Sequence, residues 1–111
     1  MTKCETAICQ LAVNVYGKTS QCTVCMEEMA ELTKELSKNL RGQDNAAHIA
    51  EEIADVEIML EQLKLMFSIR DEVTQQRTVK LQRLDNRISQ SLSWGQSSRP
   101  PPEALSPWQN I

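Results

Sequence analysis

Every proline of this 111-residue chain lies in its last dozen positions (Pro100, Pro101, Pro102 and Pro107), and only three glycines occur in the whole length. A long stretch so nearly free of breakers has few places to turn, and helices joined by short connections are the form that suits it. A first helix is expected over about 5–16, closed by Gly17. A turn over 17–20 follows, with Ser20 as the N-cap of a second helix running to about Leu40. Arg41-Gly42-Gln43-Asp44 ends that helix and caps a third, over about 45–68, and a fourth covers about 71–92. The domain then spans 1–92, and the Ser-, Pro- and Gln-rich segment 93–111 is expected to be an extended tail in which Trp94 and Trp108 offer anchors for a neighbour.

The third helix carries the cleanest periodicity. Ile49, Ile53, Val56, Leu60, Leu63 and Phe67 recur at alternating spacings of four and three, the narrow apolar stripe of a helix packed in a bundle. On the second helix Cys22, Cys25, Met26, Met29, Thr33, Leu36 and Leu40 form the corresponding arc. The fold class is therefore all-α, a four-helix-bundle-like arrangement of antiparallel helices. A chain of this length buries a modest core on its own, so association into an oligomer is expected to supply part of it.

Composition bounds the function classes. With 41% apolar and 24% charged residues the chain is globular in type, and a net charge of −3 gives it no general attraction for nucleic acid polymers. The most apolar stretch, 56–67, is broken by Glu57, Glu61 and Lys64, well short of the ~18 apolar residues a membrane helix needs. No basic start and apolar signal core open the sequence, so a cytoplasmic location with reduced thiols is expected. Cys22-x-x-Cys25 falls on the core arc, and Cys4 and Cys9 complete no second such pair, which favours buried small thiols over zinc or redox chemistry.

Chemistry concentrates in two acidic clusters, Glu27-Glu28-x-x-Glu31 and Glu51-Glu52-x-x-Asp55. Glu28 and Glu31 lie on one flank of the second helix beside Val24 and Leu32. Glu52 and Asp55 lie on one flank of the third, continued by Met59 and Met66. Acids three apart project from one side of a helix, and two such pairs facing across a bundle repel unless a cation lies between them. All-oxygen ligands suit Mg²⁺ or Mn²⁺. A di-iron site would want Glu-x-x-His pairs, and the one histidine, His48, has Asn45 three residues before it. The plain alternative is a solvated acidic helix surface.

The stretches from Ser20 to Leu32 and from His48 to Val56, with EExxE, a spacer and then ExxD, resemble the MazG-like nucleotide pyrophosphohydrolases, most closely the compact single-domain members of phages and bacteria. The resemblance runs from about Ile8 to Ile88. It implies that Glu28, Glu31, Glu52 and Asp55 hold Mg²⁺, with Glu27 assisting, and that a nucleoside triphosphate is cleaved to the monophosphate and pyrophosphate. Glu27 or Glu31 is then the candidate base. Lys80, Arg83 and Arg87, on one side of the fourth helix, resemble the family's basic helix and are candidates for the phosphates, although surface charge beside a Leu81-Leu84-Ile88 stripe explains them equally. His48 and Gln21 are further substrate candidates. Relatives form dimers or tetramers, so a homodimer or homotetramer is expected. From another functional class, the same bundle could serve as a non-catalytic oligomer that binds proteins under nucleotide or metal control.

Overall fold

The computed structural model of the chain describes residues 1–94. Four α-helices make up the described part, α1 (Lys3–Tyr16), α2 (Lys18–Leu40), α3 (Ala46–Met66) and α4 (Arg70–Trp94), and no strand occurs among the described residues. None of these helices is long and apolar enough to cross a membrane. The chain divides into two compact units, Met1–Ile69 with α1 to α3, and a second that begins at Arg70 with α4.

Local chemistry fixes the helix ends. Thr2 caps α1 through a capping box: its hydroxyl accepts from the Glu5 backbone N–H, and the Glu5 carboxylate accepts from the Thr2 N–H. That reciprocal pair starts the helix two residues earlier than the hydrophobic pattern predicts. Gly17, at φ 89° and ψ 159°, is the whole break between α1 and α2. Ser20 is therefore not the expected N-cap but a residue of the first turn of α2. A backbone conformation this far into the glycine-only region turns the chain in one residue, so no longer loop is required. α4 runs two residues beyond the expected Leu92, and the rest of the anticipated tail, with Trp108, lies outside the described residues.

Within the first unit α2 and α3 form an antiparallel hairpin. Near the start of α2, the Gln21 side-chain amide donates to Gln62 Oε1 at 2.7 Å, and Cys22 Sγ meets Met66 Sδ at 4.0 Å. At its other end, Asn45 donates to the backbone carbonyl and the carboxylate of Glu35, at 2.8 and 2.7 Å. Asn45 makes no side-chain cap to α3; its amide ties the connecting loop back onto α2. α1 packs on both helices, with Thr6 donating to Glu61 and the Cys9 thiol approaching the carbonyl of Ile58. No disulfide joins the four cysteines. Thiols meet thioethers instead, Cys9 with Met1 and Cys25 with Met29 as well as Cys22 with Met66.

The core differs from the expected one. Among the described residues the buried apolar side chains are Cys9, Cys25 and Met59, and Gln21, Asn45, Glu61 and Gln62 are buried with them. Of the anticipated α2 arc only Cys25 is buried, while Met26 and Leu40 are 63% and 88% exposed. The α3 stripe is split: Ile49, Val56 and Leu63 are half-buried, whereas Ile53, Leu60 and Phe67 are exposed. Helical periodicity marks an apolar face but does not say which surface covers it. Here the hairpin closes on a different strip, and much of the apolar face looks outward.

Candidate metal centre

The strip on which α2 and α3 close is the one that bears the acids. Glu28 lies three residues after buried Cys25, so it shares the inward side of α2. Glu52 and Asp55 lie one turn apart on α3, before buried Met59. The antiparallel register brings them level, and one carboxylate oxygen from each of Glu28, Glu52 and Asp55 lies within 4.8 Å of the others. Glu28 and Glu52 are half-buried and Asp55 is exposed. Beside them lies a cavity of about 220 Å³ lined by Val24, Glu28, Asp55, Ile58 and Met59. The cluster is thus open on one side and backed by apolar side chains on the other.

Its electrostatics are unfavourable for three bare carboxylates. Burial, then the charge of Asp55 and the hydrogen bond shared with it, then the charge and hydrogen bond of Glu52, push the Glu28 carboxyl above the usual range. A proton held between acids offsets part of their repulsion. One oxygen of the group, Glu52 Oε2, is buried and accepts no hydrogen bond. Such an orphaned acceptor carries a desolvation penalty of ~1–3 kcal/mol, more for a charged group. A hard divalent cation fits this donor set: Glu28, Glu52 and Asp55 would hold it, and it would neutralise charge that one proton cannot.

The remaining candidates are spread out. Glu31, expected among the ligands, is exposed and stands outside the three-acid group. Three residues along a helix turns a side chain by about 60° from its neighbour one turn back, and for Glu31 that turn leads away from the closing strip. Glu27 is exposed as well. Glu51 points outward, and its Oε2 lies 3.9 Å from His48 Nδ1 at the surface of the first turns of α3. Gln21, proposed from sequence as a substrate contact, is instead buried with its amide spent on Gln62. Lys80, Arg83 and Arg87 all lie on α4, in the second unit. Ile58 was missed by sequence reasoning. Its signal was available, since it follows Asp55 by three residues and so must flank the acids. No family model, curated protein or solved structure matches the chain.

Proposed function

We propose that the chain is a Mg²⁺-dependent nucleoside triphosphate pyrophosphohydrolase of the MazG-like kind, releasing pyrophosphate and a nucleoside monophosphate. The observation that carries this reading is the convergence of Glu28, Glu52 and Asp55, one of which, Glu52, keeps a buried carboxylate oxygen without a hydrogen-bond partner. These three residues would hold Mg²⁺, or Mn²⁺ in its place. When bound, such an ion neutralises phosphate charge and makes a coordinated water more acidic.

The chain's own groups do the rest. Glu31, one turn beyond Glu28 and outside the three-acid group, would serve as a fourth ligand or as a general base, and Glu27 is the other candidate base. Their exposure fits a group that must reach bulk water to pass a proton on. Lys80, Arg83 and Arg87 of α4 are the residues that the MazG-like resemblance offers for phosphate, and within the first unit exposed His48 sits one turn before Glu52. The outward apolar face of α2 and α3 supports assembly as a dimer or tetramer. That same face also favours the second reading, a protein-binding helical module without catalysis.

A panel of canonical and modified nucleoside triphosphates with Mg²⁺ separates the two. Pyrophosphate is expected from at least one member, and Glu28→Gln or Asp55→Asn should lower the rate at least ~100-fold, the scale of losing a charge-stabilising group. A panel with no release at saturating Mg²⁺ and Mn²⁺ would leave the binding module as the reading that stands.

A further inference from the structure

We propose that the groove between α1 and α3 holds the nucleobase of the substrate and that it favours bases bearing an exocyclic amino group. This deepens the pyrophosphohydrolase reading and rests on it. The groove measures about 460 Å³, and Met1, Ile8, Cys9, Ala54 and Ile58 form its apolar walls, with exposed Glu5 and Glu57 also in the lining. Its size lies within the ~300–1,000 Å³ range typical of small-molecule sites, and a largely apolar cleft with a few polar groups is the form such sites take.

The groove adjoins the cavity beside the acidic centre. Ile58 lines both the groove and the cavity beside Glu28 and Asp55, and Ala54 immediately precedes Asp55 on α3. Successive residues on a helix project about 100° apart, so α3 turns its carboxylate pair toward α2 and its groove wall toward α1. In this assignment a ligand with phosphates at Glu28, Glu52 and Asp55 extends past Ile58, the side chain common to both cavities, into the groove. That is the geometry of an elongated molecule with an anionic end and a flat apolar end.

The two carboxylates set the preference. An ionised carboxylate only accepts hydrogen bonds, so Glu5 and Glu57 match an amino group on a base edge. The sole ring donor of uracil and thymine, N3–H, lies between two carbonyl oxygens that a carboxylate repels. Cytosine, adenine and guanine each offer an amino group instead. Glu5 is held in place for this role, because one of its oxygens already accepts from the Thr2 backbone N–H at 2.8 Å.

The test compares kcat/KM for dCTP, dATP and dGTP with that for dUTP and dTTP in Mg²⁺, using the full chain. Amino-bearing substrates are expected to lead by about tenfold, and Glu57→Ala should shrink that lead to about threefold or less. Equal rates across the bases, or a preference that Glu57→Ala leaves intact, would overturn the groove assignment and leave catalysis standing. A second arm needs no turnover: ligand-observed NMR of cytidine, adenosine, uridine and thymidine without metal. There, cytidine and adenosine should bind selectively, and Ala54→Leu, which fills the groove and whose fold is checked by circular dichroism, should abolish that binding. Selective binding in a protein that hydrolyses nothing would overturn the catalytic reading alone. The absence of selective binding in this second arm likewise overturns the groove.

Discussion

Glu28 carries a carboxyl whose proton is held by burial and by the acids around it, and this makes the centre readable by pH. The pKa in the folded chain is raised above the ordinary carboxylate value of ~4.3, so the contribution of this group to stability is full below that value and is lost as pH rises through the folded pKa. Without a divalent ion, the Glu28 contribution to thermal stability should therefore decline as the pH climbs out of the acid range. With millimolar Mg²⁺ the decline should vanish, because the cation takes over from the proton. Melting curves in chelator and in Mg²⁺ across that window check this; parallel curves would show that the cluster binds no cation. Gln21 teaches the converse lesson at the same scale. A polar side chain ahead of an acidic helix reads as a substrate contact, yet this one is consumed by Gln62, forty-one positions away in sequence. No local pattern announces a partner so distant.

At the scale of elements, the helices themselves were legible because the punctuation was sparse and unambiguous. Gly17 and the 41–45 connection stand where breakers stand, and all four helices follow. The start of α2 was misjudged by assuming that a helix needs a polar cap, whereas a single glycine in a conformation closed to other residues separates α1 from α2. Nothing lies within 4 Å of a Cβ built at Gly17, so steric crowding plays no part there. Gly17→Ala should therefore destabilise the first unit by backbone strain alone, by ~1–3 kcal/mol, seen as a lower urea midpoint with an unchanged slope. A change below a few tenths of a kcal/mol would mean that the break can be made in another conformation. The acid pair on α3 was legible too, from its i, i+3 spacing. That Glu28 joins it while Glu31 does not depended on which strip of α2 meets α3, and the apolar residues pointed to a different strip.

For the molecule as a whole, the misplacement of the core is informative. A buried set of three sulfur-bearing side chains and four polar ones is small for a unit of this size, while Met26, Met29, Leu36, Leu40, Ile53, Leu60 and Phe67 remain exposed. Two apolar faces on adjacent antiparallel helices are what a helical interface between copies would use. Sedimentation at micromolar concentration should give a mass above that of one chain, and Leu60→Asp, replacing a residue 41% exposed on that face, should shift the protein to monomer. A wild-type protein that sediments as a monomer would assign the face to something other than self-association. The periodicity read from sequence would then still be correct, since it identified an apolar surface; only its occupant was beyond what spacing can convey.

The thiol–thioether contacts set a further property of the chain. Cys9 with Met1, Cys22 with Met66 and Cys25 with Met29 put easily oxidised sulfur on both sides of three packing contacts in the first unit. Met29 is 46% exposed and so open to peroxide. Its sulfoxide would set a polar, chiral group against Cys25, and thiol reductants do not reverse that product; methionine sulfoxide reductases do. Oxidation of Met29 would thus loosen the strip that aligns Glu28 with Glu52 and Asp55.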